Sequence, residues 1–175
     1  AYPMIRHARQ LVRDGAIGDV RLVQVEYMQG SMAVRLEDGP QTNRTRWVLD
    51  PARSGLALVM GMIGCHAQHL ACFVTGLPVA RVAADVGALV PGRKVIDHVS
   101  ALLEFGNGAR GTFTATQAAA GAENDIRLRV YGDDGCVVWS NGTEVGRFNY
   151  PAGPTSFDTP AINHEAAWEE VVLNN

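Results

Sequence analysis

Apolar positions along this chain recur with two different periods, and the change between them divides it. The first part is mostly helical in period. Ile5, Ala8, Leu11 and Val12 share one face of a segment that Pro3 can open and Gly15 can stop. In Gly61–Gly76, Ile63, Ala67, Leu70, Ala71 and Val74 form an apolar stripe at about 100° per residue, and Gly76 suits a left-handed C-cap. Almost nothing on this second helix is charged, so it is expected to be buried on most sides. Between the two, Val20–Met28 alternates as a strand with Val23, Val25 and Tyr27 on one face. Ser31–Arg46 is polar and broken by Gly and Pro, which predicts a long loop, and Trp47–Gly55 leads from it into the second helix.

After Gly76 the period becomes alternating and stays so. Strands are predicted over Ala80–Val90, Val95–Phe105 and Arg110–Gln117, with turns at Pro91-Gly92 and Gly106-Asn107-Gly108. Within them Val99, Ala101, Leu103 and Phe105 fall on one face, and Ser100, Leu102, Glu104, Thr112, Thr114 and Thr116 on the other. Further strands are predicted at Ile126–Tyr131, Val137–Trp139 and Glu144–Tyr150, turning at Gly132–Gly135 and Asn141-Gly142. The tail from Pro151 offers one short helix around His164–Leu173. The pattern predicts an α+β fold, an open, predominantly antiparallel sheet running as a meander with helices packed on one face.

Composition narrows the function classes. A chain of 175 residues with 47% hydrophobic residues is long enough for one domain with its own core. A net charge of -3 and the lack of a basic tract argue against a nucleic-acid partner. The longest apolar stretch, Gly55–Ala67, is interrupted by glycines and too short to span a bilayer, so no membrane association is expected. Three cysteines make an odd count, and Cys65 and Cys72 stand roughly 10 Å apart by helical rise, too far for a bridge. A reduced, cytoplasmic compartment is the expectation.

The second helix holds the one dense group of reactive side chains: Cys65, His66, His69 and Cys72. Cys65, His69 and Cys72 are spaced to line one face, but structural zinc draws ligand pairs from two elements and no second pair is evident, so packing cysteines are expected and no metal. A Cys or Ser nucleophile lacks its sequence context: there is no G-x-S-x-G, and Cys65 and His66 are neighbours pointing in different directions.

The run Trp47…Asp50-Pro51-Ala52-Arg53-Ser54-Gly55…Gly61-Met62-Ile63-Gly64-Cys65-His66-Ala67 resembles the C-terminal domain of the Gfo/Idh/MocA oxidoreductases, where the stretch usually reads W-R-x-D-P-x-x-x-G-G and then G-D-I-G-T-H. Tyr2-Pro3-Met4, Gly18-Asp19-Val20, Pro91–Arg93 and Leu128-Arg129-Val130-Tyr131-Gly132 extend the likeness in order. The resemblance implies that residues 1–175 form a substrate-binding and oligomerisation domain, its N-terminal Rossmann domain lying outside this chain, since no G-x-G-x-x-G leads from a predicted strand into a predicted helix and no E-K-P lysine is present. It implies a sugar, polyol or related hydroxy compound as substrate, NAD or NADP in the full-length protein with none bound by this chain alone, and a homo-oligomer formed through the open sheet face. It places His66 as the catalytic acid–base group and Trp47, Arg53, Met62 and His69 about the substrate. Met62 departs from the family, which has Asp there, and a thioether can neither accept a proton nor orient an imidazole. That departure keeps an alternative in view, a non-catalytic ligand-binding or structural interaction domain derived from the family.

Overall fold

Local sequence signals set the frame of the N-terminal half. The structure is a computed structural model that describes residues 2–140 and 143–148; the predicted Asn141-Gly142 turn and the helix around His164–Leu173 lie outside the described residues. Pro3 opens the first helix, α1 (Pro3–Arg13), and Ala8 is its buried contact point. β1 (Leu22–Met28) follows and buries Val23 and Val25 as the alternation predicts. The excursion after it is more structured than its composition suggests. It holds a single 3-10 turn at Leu36–Asp38 and two short helices, α2 (Asn43–Val48) and α3 (Pro51–Ser54). The Thr42 hydroxyl accepts the Thr45 N–H at 3.2 Å, and the Asp50 carboxylate accepts the Ala52 N–H at 3.0 Å with Pro51 in the first turn. Both are N-caps of the favoured chemistry.

The central helix, α4 (Cys65–Thr75), is entered through a π-turn over Met60–Gly64 and closed by Gly76 in the left-handed conformation at φ 72°. Ile63, Ala67, Ala71 and Val74 are buried as the stripe predicts, but Cys65, His66, Gln68 and His69 are exposed. The expectation of a helix buried on most sides is therefore corrected. α4 lies between the sheet and solvent with α1 beside it, and its outer face is covered by uncharged polar groups. Small Ala67 and Ala71 let the helix sit close on Phe113, Ala115, Leu128 and Val130 in one core.

The remaining strands are β2 (Val79–Gly87), β3 (His98–Phe105), β4 (Arg110–Thr116), β5 (Asp125–Tyr131), β6 (Cys136–Ser140) and β7 (Thr143–Phe148). They form one sheet in the order β2-β3-β4-β1-β5-β6-β7. The fold is α+β with an open, mostly antiparallel sheet, but it is not a simple meander. β1 inserts between β4 and β5, parallel to β4 and antiparallel to β5, with Val25 opposite both Phe113 and Leu128. Two predicted boundaries also move. The strand after Gly76 ends at Gly87 and the next begins only at His98, because Asp97 turns inward and its carboxylate accepts the Leu89 and Val90 N–H groups at 2.7 and 3.4 Å.

Coverage of the sheet is uneven. The face opposite the helices carries Leu102, 66% exposed, and Thr112, also exposed. Arg81 and Arg110 both pair there with Glu104, whose carboxyl is held below its usual range first by the Arg81 hydrogen bond. Thr116, expected on this open face, is instead buried, its hydroxyl donating to the Asp97 carbonyl at 3.0 Å. At the edge, β2 is exposed on both faces: Val82 and Val86 pair with Leu103 and Val99 on the core side, yet lie beyond the reach of the helices.

Candidate functional site

The described residues bring the reactive end of α4 against two other pieces of chain, the excursion carrying α2 and the segment leaving β4. A second, smaller core of Met32, Val48, Leu58 and Val95 forms there, with Leu36, Leu49 and Met62 against it. Val48 is the residue after Trp47, so this core ties α2 to the π-turn that carries Met62. Trp47 itself stands 46% exposed on the outer side of α2.

The excursion is held by a buried arginine. Arg93, with its side chain wholly buried, donates to the Asp97 carboxylate at 2.9 Å, to the Met32 carbonyl at 2.6 Å, to the Val34 carbonyl at 2.9 Å and to the Glu37 carboxylate at 3.1 Å. Burial tends to raise the Glu37 pKa, but the Arg93 hydrogen bond and charge outweigh it and hold that carboxyl below its usual range. Every polar arm of the guanidinium is thus engaged, and the chain from Met32 to Glu37 is fixed against the Pro91–Arg93 turn. The resemblance marks that turn only as a sequence match, and nothing in the pattern discloses its partners.

His66 is exposed one helical turn after Met62, and no side-chain hydrogen bond or ion pair engages its imidazole among the described residues. A solvent-facing imidazole of this kind is free to exchange a proton with a hydroxyl brought to it. Met62 is half-buried, and its sulfur meets the Gln117 side-chain N–H at 3.8 Å, a weak contact with a residue that sequence reasoning passed over. Gln117 is 1% exposed. Its amide also donates to Gln29 Oε1 at 3.4 Å, and Gln29 donates in turn to Asn124 Oδ1 at 2.6 Å. The other two candidates have side-chain partners of their own. His69 stacks on Phe73, with ring centroids 5.8 Å apart, and Arg9 of α1 lies 4.5 Å above the same ring. Arg53 is exposed and paired with Asp50 at 3.2 Å.

The Gly61–Gly64 run does not have the form of a dinucleotide cradle. It lies inside a helical segment, not in a turn between a strand and a helix, and the Gly61 N–H is already bonded to the Ala57 carbonyl. Cys65 and Cys72 are free thiols, and no group of three or more His, Cys, Asp or Glu residues that could hold a metal is found among the described residues. No helix among them is long and apolar enough to cross a membrane.

Comparison with known proteins places these features. Residues 5–138 match the family described as GFO/IDH/MocA C-terminal domain. The chain is similar to an oxidoreductase domain protein from Kribbella flavida, at 34% identity and a TM-score of 0.69, covering 79% of this chain and 37% of that one. It is also similar to an inositol dehydrogenase homolog from Azotobacter vinelandii solved with NAD+, at 26% identity and a TM-score of 0.71 over 78% of this chain and 35% of that one. A levoglucosan dehydrogenase of Pseudarthrobacter phenanthrenivorans is 26% identical over 160 residues, which is 79% of this chain and 39% of the relative. The chain thus spans little more than a third of the length of the curated relatives it matches.

Proposed function

The chain belongs to the C-terminal-domain family of the Gfo/Idh/MocA oxidoreductases, and on that premise we propose that it is the substrate-binding and oligomerisation domain of an NAD(P)-dependent dehydrogenase of a sugar or polyol. The observation that carries this reading is His66: an exposed imidazole, unengaged among the described residues, one helical turn after Met62, which packs against the small core under the clamped excursion. The dinucleotide, which supplies a hydride acceptor, is held by a separate domain. This chain contributes the rest. A substrate hydroxyl losing hydride must also lose its proton, and His66 is the group that receives it at a ring nitrogen. Trp47 and Met62 flank the substrate, with Arg53 and His69 as outer contacts. The A. vinelandii homolog with NAD+ and the levoglucosan dehydrogenase support this substrate and cofactor class by likeness. The same reading makes the open sheet face around Leu102 the contact surface for a second copy of the protein.

The test is steady-state oxidation of myo-inositol and levoglucosan by the full-length protein with NAD or NADP. Turnover is expected, and His66→Ala should lower kcat by on the order of 10²–10⁴ with no loss of melting temperature, because the side chain is exposed. Turnover unchanged in His66→Ala rules out this role for the imidazole. Meanwhile Met62 favours a second reading, a family member that binds a ligand without oxidising it; saturable polyol binding with no reduced dinucleotide formed would select it.

A further inference from the structure

Gln117 is the least satisfied buried polar side chain near His66. Its Oε1 is buried with no hydrogen-bond partner among the described residues, and its Nε2 has only a 3.4 Å contact with Gln29 and a 3.8 Å contact with the Met62 sulfur. The carboxamide is nevertheless well placed. The Gln117 N–H donates to the Asp97 carbonyl at 3.0 Å, and its carbonyl accepts from the Met32 N–H at 2.9 Å, so the backbone is pinned from both sides. A buried acceptor left open in a rigid setting calls for an explanation, because its lost hydration is not returned by the protein. A thioether is a poor acceptor for the donor half of the same group.

We infer that Gln117 is a ligand-binding residue of this site, covered by Met62, and that its carboxamide takes a pair of adjacent hydroxyls of the ligand. One hydroxyl donates to Oε1 and its neighbour accepts from Nε2, which uses both unsatisfied halves of the group. Met62 must move aside for this to happen. Its unbranched side chain has three rotatable bonds, it is already half-exposed, and it sits in the π-turn, a helical irregularity that often accompanies functional sites. The inference rests on the sugar or polyol reading above and sharpens it: the ligand carries a vicinal diol, and Met62 with Gln117 selects for it.

The experiment follows the side-chain amide resonances of Gln117 in the full-length protein, identified by their loss in Gln117→Leu, during titration with myo-inositol and, separately, with cyclohexanol, which carries no diol. Myo-inositol should shift them saturably together with the His66 ring resonance, whereas cyclohexanol should leave them in place. Calorimetry should then show binding of myo-inositol weakened roughly tenfold in Gln117→Leu and tightened in Met62→Ala, which removes the cover. A His66 shift without a Gln117 shift overturns the inference and leaves the polyol reading standing. Silence at both residues removes that reading and the inference with it. Where Gln117→Leu fails to fold, Met62→Ala decides alone: unchanged or weaker binding overturns the proposal.

Discussion

Arg93 and Gln117 are both buried polar side chains, and one backbone hydrogen bond, from the Gln117 N–H to the Asp97 carbonyl, joins their neighbourhoods. Around Arg93 each donor meets a carboxylate or carbonyl between 2.6 and 3.1 Å. Around Gln117 the contacts are long and one oxygen has no partner. Burial removes water from both, so the difference lies in what the protein gives back. A saturated group has nothing left to offer a ligand and serves as scaffold; an unsaturated one carries a cost that only a ligand or a water can return. The scaffold thus stands one residue away from the group it makes available.

The comparison breaks most readily at Arg93. Arg93→Ala leaves Asp97 fully buried without its cation and releases two carbonyls and Glu37, so the domain should lose about 3–5 kcal/mol. Arg93→Lys should recover only part of this, since a single ammonium cannot hold Met32, Val34, Glu37 and Asp97 together. Urea unfolding of each variant measures both, and a loss below about 1 kcal/mol would show that the clamp is not a scaffold. Acid adds a second check. The Glu37 pKa is lowered in the folded state, so its contribution is complete above the ordinary glutamate range and is lost as pH falls through the lowered value. That acid-dependent part should shrink in Arg93→Ala, where only the backbone hydrogen bond and the Arg35 charge still lower the Glu37 carboxyl.

Met62→Asp comes next. In the family pattern a carboxylate stands at this position, and here the Gln117 N–H already points at the Met62 sulfur. A carboxylate placed there gains a donor, so the expected cost is about 1–2 kcal/mol, less than for an unpaired buried charge. If the full-length protein is a dehydrogenase working without its usual acid partner, turnover should rise by a measurable part of about 10²–10⁴. Loss of several kcal/mol with no gain in rate would sink the weakened-dehydrogenase reading and favour a binding-only domain. Gln117→Leu in the Met62→Asp background separates the two effects, since it should remove the donor and raise the cost of the carboxylate.

What the sequence disclosed follows from how far each signal reaches. Alternation at Val23, Val25, Val99, Ala101 and Phe113 reports which side of a strand is buried, and the structure buries those residues. Alternation does not name a strand's neighbours, so the sequence predicts a meander where the structure inserts β1 between β4 and β5. The apolar stripe of α4 is legible, but lack of charge on the other face does not imply burial, since Gln68, His66 and His69 are polar enough to face water. The π-turn was hidden because Met60–Gly64 keeps the composition of a helix. At the site, His66 and Met62 emerged through a motif. Gln117 did not, and Arg93 entered only within the Pro91–Arg93 match with no role attached, because each looks like the end of a strand or a turn, and its importance lies in partners distant along the chain.

The smallest effect on the fold itself is expected on the open face of the sheet. Leu102 lies between Ala83 of β2 and Thr112 of β4, two-thirds exposed, with Arg81, Arg110 and Glu104 one step away along the strands. A leucine so exposed contributes little to the monomer, so Leu102→Glu should change unfolding stability by less than about 0.5 kcal/mol. The new carboxylate can also face Arg81 or Arg110, which offsets any crowding with Glu104. If a second copy covers this face, the same leucine becomes buried on association, and replacing it with a charge should remove roughly 1.5–3 kcal/mol from the contact, enough to raise the dissociation constant by about tenfold or more. Sedimentation across a concentration series reads the association, and urea unfolding of the same variant reads the fold. Association unchanged in Leu102→Glu would place the contact between copies on another surface, with the exposed β2 edge at Val82 and Val86 as the next position to charge.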